Sequence, residues 1–178
     1  MTTENKAQMV QESIKEVMKG FPQGVTVVAT KARGRLWGVT VSSFTTVSLE
    51  PPLVLVSLMR KVPSSSAIAS ANGFTVNFLA HDQNVVSDRF AGRMPIEDRF
   101  EGLGYSFTST GYPVIEGATG YFHCKRWRKY DGGDHVLILG KVIEAKTLSH
   151  RPPLVYFKQQ YTTVVPPEAG SPTEETLW

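Results

Sequence analysis

A hydroxyl-rich run, Thr40-Val41-Ser42-Ser43-Phe44, closes a strand-like stretch and carries the first candidate chemistry of this chain. The two-residue period of a strand puts Thr40 and Ser42 on one face and Val41 and Ser43 on the other. Such a strand end can hydrogen-bond a polar ligand through side chains and backbone amides. Equally, its hydroxyls can satisfy neighbouring backbone groups. A second candidate is Ser57, a hydroxyl within an apolar run, followed by Arg60, Lys61 and the serines Ser64, Ser65 and Ser66 that open a helix. Free amides at a helix start beside a lysine suit a phosphate, and the same residues also read as an ordinary cap with solvated cations. The third is Gly132-Gly133-Asp134-His135. Its glycines admit a ligand to the backbone and its His projects at a rim, or the four residues are a hairpin turn with a His at the next strand start.

Other chemistries have no footing. The chain has no G-x-G-x-x-G, no Walker-type loop, no Cys-x-x-Cys and no His-Glu-x-x-His. His81, His123, His135 and His150 lack metal-ligand spacing, so no metal site is expected. No G-x-S-x-G surrounds a serine, and Cys124 lies in mid-strand, where it reads as a small core residue.

The elements that must position these groups form one domain. A chain of 178 residues with 41% hydrophobic and 20% charged residues closes one sizeable core and is not disordered. The net charge of +3 is modest, and the densest basic run, residues 125–129, reads as a solvated strand end rather than a nucleic-acid surface. With one Cys there is no intrachain disulfide, which favours the cytoplasm. The first residues lack the pattern of an export signal, and no apolar run approaches the roughly 20 residues that span a bilayer.

Val10, Ile14, Val17 and Met18 recur at helical spacing over residues 5–19, and Gly20 supplies the stop. Residues 25–30 and 35–44 read as strands around a hairpin turn at residues 31–34. Residues 53–59 are continuously apolar, as expected of a short strand buried on both sides. The serines at 64–66 offer N-caps to a helix through Ile68, stopped near Asn72-Gly73. Strand character returns at residues 74–79, a short helix spans residues 82–92, and further strands cover residues 120–127, 135–145 and 154–157. Strands do not alternate with long helices, so the fold is mainly β, a β-rich α+β class: an antiparallel, Greek-key-like barrel with short helical insertions. Residues 1–20 form an amphipathic helix packed on the barrel, residues 21–165 the barrel itself, and residues 166–178 a polar, Pro-rich tail that is mobile or docks on a partner.

The blocks Phe21-Pro22-Gln23-Gly24-Val25-Thr26-Val27-Val28, Gly38-Val39-Thr40-Val41-Ser42-Ser43-Phe44, Val47-Ser48-Leu49-Glu50-Pro51-Pro52-Leu53-Val54, Phe74-Thr75-Val76-Asn77-Phe78-Leu79 and Gly133-Asp134-His135, in this order, resemble the short flavin reductases. These are the NAD(P)H:flavin oxidoreductase components of two-component flavin monooxygenases, such as the reductase of 4-hydroxyphenylacetate 3-monooxygenase. The resemblance implies an FMN-binding split β-barrel, homodimeric, with flavin near the subunit interface. It implies FMN or FAD and NADH or NADPH as cofactors, and a flavin-dependent monooxygenase as recipient of reduced flavin. Flavin contacts then fall on Pro22, Gln23, Gly24, Thr40, Val41, Ser42, Ser43, Ser57 and Leu58. Lys61, Ser64 and Ser65 fall near the flavin phosphate, Phe90 in the loop after the second short helix, and His135 near the nicotinamide nucleotide. Gln23 stands where many members carry Thr or Ser. No side chain is required as an obligatory acid or base, because the cofactors carry the chemistry. A flavin-binding electron carrier shares the same barrel, and the Gly-Asp-His turn is what favours the reductase over it.

Overall fold

The computed structural model describes residues 3–165. In chain order the elements are α1 (Thr3–Lys19), β1 (Gln23–Gly24), β2 (Thr26–Ala32), β3 (Arg35–Val41), β4 (Phe44–Leu49), β5 (Pro52–Met59), α2 (Pro63–Ser70) and β6 (Gly73–Phe78). There follow α3 (Asn84–Phe90), β7 (Tyr105–Phe107), β8 (Pro113–Ile115), β9 (Gly120–Gly132), β10 (His135–Thr147), β11 (Val155–Phe157) and β12 (Gln160–Thr162).

Seven strands make one antiparallel sheet in the order β3-β2-β6-β9-β10-β5-β4. Its two edges, β3 and β4, are neighbours in sequence and are joined only by Ser42 and Ser43. Three residue steps span at most about 10 Å, so the sheet must roll until its edges nearly meet. The core shows the same closure. Val28 and Val39 from one side of the sheet pack in a single cluster with Val54, Val56 and Leu58 from the other, together with Phe74, Val76, Cys124 and Ile138. The expected antiparallel barrel is present, split along the β3/β4 seam. Ile68 of α2 is fully buried against this core, so α2 closes one end of the barrel.

A second core lies outside the barrel wall, where Val25, Val27, Ala29 and Leu79 pack against Phe90, Phe100, Ile115 and Leu154. Buried polar side chains tie the two layers. Asn77 donates to Val27 O and accepts from Ile115 N, while Thr75 Oγ1 donates to Pro113 O.

Several sequence expectations are corrected. Residues 35–44 are not one strand but two, broken at the seam. The apolar run of β5 alternates: Val54, Val56 and Leu58 are buried, while Leu53, Leu55 and Ser57 are only half-buried. Composition alone does not separate a strand buried on both faces from one whose outer face is apolar. Val62 takes the cap position of α2 without a side-chain hydrogen bond, Pro63 occupies its start, and Ser64 and Ser65 lie buried inside the helix. The helix α1 is not packed on the barrel: Val17 is 75% exposed, and Met9, Val10 and Ile14 are exposed as well. Helical periodicity demands a cover for the apolar stripe without naming it. The tail at residues 166–178 lies outside the described residues. Cys124 is a core residue as expected, its thiol pushed up to about 12 by burial.

Turn chemistry is local and was legible. The β2–β3 hairpin closes through Arg33 and Gly34 at φ 53 and 74, the left-handed pair of a tight two-residue turn. The β9–β10 hairpin closes through Gly133, at φ 72, and Asp134.

His123 is buried beneath this framework, its Nε2 3.1 Å from Thr110 Oγ1 and its Nδ1 3.7 Å from Glu144 Oε2. Burial lowers its pKa from 6.5, against the opposing pull of Glu144. The folded state therefore holds the neutral ring, while the unfolded chain takes up a proton near pH 6.5. Stability is full above that value and declines as the pH falls through it. Melting temperature is expected to drop between about pH 7.5 and 5.5, and His123→Gln to flatten that slope, as measured by thermal denaturation across the interval.

Candidate functional site

The seam brings together residues that are far apart in the chain. Because β3 pairs only with β2 and β4 only with β5, the backbone of Ser42 and Ser43 crosses between two sheet edges. Ser57 N donates to Ser43 O at 3.3 Å, and Ser43 Oγ donates to Ser57 O at 2.6 Å, stitching the link to β5. Ser42 Oγ donates to Gln23 Oε1 at 3.1 Å, and Thr40 Oγ1 to Ser87 O at 2.7 Å. The alternation read from sequence holds: Thr40 faces α3 while Val41 packs on the barrel core. The hydroxyls of Thr40 and Ser43 are spent on backbone carbonyls. A ligand at this strand end therefore meets backbone amides first.

Two hollows flank the link. One, of about 360 Å³, is lined by Pro22, Gln23, Gly24 and Ser42 at its polar edge and by Phe44, Phe78, Leu79 and Leu154 on its apolar walls. Its size and mixed lining suit a flat fused-ring ligand with a hydrogen-bonding edge. Gln23 is bonded through its carbonyl oxygen, so its amide nitrogen remains a donor toward that space. The other, of about 160 Å³, lies between Thr40, Ser42 and Ser87 on one side and Arg93, Tyr156 and Tyr161 on the other.

This second group was not found from sequence. Arg93 Nη1 donates to Asp88 Oδ1 at 2.8 Å, and Tyr161 Oη donates to Asp88 Oδ1 at 2.7 Å and lies 2.9 Å from Ser87 Oγ. Tyr156 and Asp88 hold the Arg93 guanidinium above its ordinary pKa, and burial pushes the Tyr161 phenol up. Arg93 sits in an aperiodic loop, and no motif or spacing marks it.

The Gly-Gly-Asp-His turn is braced by a residue that the sequence reading noted only as a cation. Arg60 Nε donates to Gly133 O at 3.0 Å, its Nη2 donates to Asp131 Oδ1 at 2.9 Å, and Arg60 N donates to Asp134 O. His135 Nδ1 lies 2.6 Å from Asp134 Oδ1. His135 holds the Asp134 carboxyl below its usual value, with a further contribution from Lys61. In the β5–β10 ladder His135 faces Met59, and Leu137 faces Ser57, so the His lies one strand over and two residues along from the seam.

The remaining sequence-named residues separate. Leu58 is fully buried in the barrel core, so only its backbone can reach a ligand. Phe90 is corrected: it is the last residue of α3, not part of the loop beyond it, and its side chain is fully buried against Phe100 in the second core. It also covers Gly38, where a Cβ would stand 2.5 Å from Phe90 Cε1. Lys61 is exposed near Asp134. Ser64 lines a cleft of about 280 Å³ with Arg35, Trp37 and Arg99, whereas Ser65 lines a different pocket. Among the described residues no cluster of three or more metal-ligating side chains occurs, and no helix is long and apolar enough to cross a membrane.

Comparison with known proteins agrees with this fold. The flavin reductase like domain model matches residues 18–164. A probable flavin reductase of Rhizobium meliloti is 37% identical over 73% of this chain, which spans 42% of that protein's length. The reductase component of 4-hydroxyphenylacetate 3-monooxygenase from Thermus thermophilus is 34% identical over 89% of this chain and 99% of its own. Among solved structures, the NADH:FAD oxidoreductase SgcE6 of Streptomyces globisporus, in complex with NAD and FAD fragments, superposes with a TM-score of 0.81 at 31% identity, covering 89% of this chain and 94% of that one.

The burial of Phe90 makes it a packing residue. Phe90→Leu is expected to cost about 1–2 kcal/mol in urea denaturation while changing the dissociation constant for FMN less than twofold in a fluorescence titration.

Proposed function

This chain belongs to the flavin reductase-like domain family and is an oxidoreductase of that family, and we propose that it moves a hydride from NADH or NADPH to FMN or FAD and hands the reduced flavin to a monooxygenase. The observation that carries the reading is the split seam. Its backbone amides lie outside the sheet ladder, beside an apolar hollow large enough for a fused-ring system, with His135 one strand away. When bound, the nicotinamide donates hydride from C4 and the flavin accepts it at N5, so the reaction needs no nucleophile from the protein.

The chain's own residues bind, orient and exclude water. The amides at Ser42 and Ser43, with the Gln23 side-chain amide, offer donors where negative charge develops on reduction. Phe44, Phe78, Leu79 and Leu154 keep water from the ring face. The Arg60 bonds fix the turn that presents His135, and Asp134 keeps a proton on its Nδ1 and orients the ring. His135 then positions the nicotinamide nucleotide rather than exchanging protons with it.

A second copy of this chain completes the assembly in our reading. The outer face of β5 and β10 carries Leu53, Leu55, Leu137 and Leu139 half-buried, with Met59 46% and Ile143 54% exposed. The same face holds Ser57 and His135, so a partner seated there borders the site. Leu55→Glu is expected to convert a dimer to a monomer in sedimentation velocity.

The decisive assay follows NADH and NADPH oxidation with and without added FMN or FAD, on protein first stripped of flavin. Flavin-dependent oxidation is expected. Flavin binding without any nicotinamide oxidation would instead mark an electron carrier. His135→Ala is expected to raise KM for the nicotinamide nucleotide about tenfold, roughly 1.4 kcal/mol of lost binding, with a smaller effect on flavin affinity. Stopped-flow traces showing weakened flavin binding and unchanged nucleotide dependence would contradict that role.

A further inference from the structure

Thr110, His123 and Glu144 form a chain of polar contacts outside the seam that hydride transfer does not use. Thr110 Oγ1 lies 3.1 Å from His123 Nε2, and His123 Nδ1 lies 3.7 Å from Glu144 Oε2. Three segments supply them: the turn between β7 and β8, then β9, then β10. A register shift between Val142 and Glu144 leaves Ile143 as the extra residue of a β-bulge and pairs Glu144 with His123. Bulges re-aim side chains in this way. Glu144 is itself held, since Tyr121 Oη donates to its Oε1 at 2.6 Å. The Tyr112 ring lies against the imidazole, with centroids 5.2 Å apart.

An activated nucleophile needs an accessible hydroxyl and a neutral, oriented base within hydrogen-bond reach. Thr110 is exposed, while His123 beneath it is 2% exposed. Burial lowers the His123 pKa from 6.5, so above that pH the ring is neutral. The titratable groups around it are Glu144 from β10, Tyr121 from its own strand and Tyr112 from the turn. Glu144 pulls the His123 pKa upward against burial, and Tyr121, its own pKa pushed up to about 12, stays a proton donor to Glu144. The carboxylate beside Nδ1 keeps the ring proton there, which leaves the Nε2 lone pair facing the Thr110 hydroxyl. Gly111, at φ 85, turns the chain sharply after Thr110, and the Thr110 amide donates to no group among the described residues. That amide is available to an oxyanion formed at a carbonyl under attack.

We propose that Thr110 is an acyl-acceptor site, a nucleophile that takes an acyl group from an activated ester or thioester, with His123 as its general base and Glu144 as the residue that positions the imidazole. Thr110 Oγ1 forms a bond to the acyl carbon as its proton passes to His123 Nε2. The bond from that carbon to the leaving group then breaks, and the leaving group departs with the electron pair while His123 returns the proton to it or to water. Neither flavin nor nicotinamide takes part, so this site stands or falls independently of the reductase reading.

The test incubates the full-length protein with p-nitrophenyl acetate over about pH 5 to 8, the range in which an imidazole changes charge, and follows acetylation of single residues by peptide mass spectrometry. Thr110 is expected to react about a hundredfold faster than Thr147, which is exposed but has no imidazole bonded to it. Its rate rises as His123 loses its proton, at a midpoint below 6.5, and levels off above it. Thr110→Ser keeps the advantage and His123→Gln abolishes it. Glu144→Gln slows the reaction and moves the midpoint to lower pH, because it removes the charge that raises the His123 pKa. A merely structural Glu144 would not move that midpoint. Acetylation of Thr110 no faster than that of Thr147, a rate that climbs with pH without levelling, or an unmoved midpoint in Glu144→Gln overturns the proposal. Should His123→Gln fail to fold, the pH profiles of the unmodified chain and of Thr110→Ser decide the matter.

Discussion

Two residues hold this architecture to its shape. Ser42 and Ser43 are all that separates the strands at opposite edges of a seven-stranded sheet. So short a link compels the sheet to roll, and the rolling packs β2, β3 and β5 around one core. It also prevents the edges from zipping completely, since a chain passing from one edge to the other leaves its own amides outside the ladder. The bonds between Ser43 and Ser57 stitch the seam at one point without closing it. Closure and ligand access follow from the same constraint.

The site inherits its layout from that seam. Pro22, Gln23 and Gly24 arrive from the chain leading into β2, Ser42 from the link, and Phe44 and Phe78 from the barrel lip, so one hollow is assembled from distant segments. His135 is placed by strand pairing, since the β5–β10 register sets it two residues along from the position facing Ser57. Arg60 is what makes that register useful. It joins the end of β5 to the Gly133-Asp134 turn, so the His is carried on a braced hairpin rather than a loose one. Helix α2 then divides the polar groups at the barrel end, turning Ser64 to one cleft and Ser65 to another.

Apolar surface left over after folding is informative here because it is patterned. The half-buried leucines on the outer face of β5 and β10 alternate with residues that fill the barrel, so this face is apolar by register rather than by accident. The stripe along α1 is apolar by helical period and equally uncovered. A barrel of this size buries its interior fully and still exposes a sheet face that water does not favour.

Local physics in the sequence determined the strand-rich class, the first helix, the hairpin turns at Gly34 and Gly133, the placement of Cys124 in the core and the alternation of Thr40 with Val41. Each depends on period, turn chemistry or composition within a few residues. The ordered blocks likewise carried the family. Long-range packing decided the rest. Whether residues 35–44 were one strand or two depended on which partner each half found, and that pairing is set by the whole sheet. Phe90 and Leu58 have compositions suited to a ligand wall, yet burial made them core. Arg93, Tyr156 and Tyr161 converge from segments with no shared local signal. The opposite facings of Ser64 and Ser65 follow from where α2 docks on the barrel end, because adjacent residues on a helix point about 100° apart and only the docking says what each one meets.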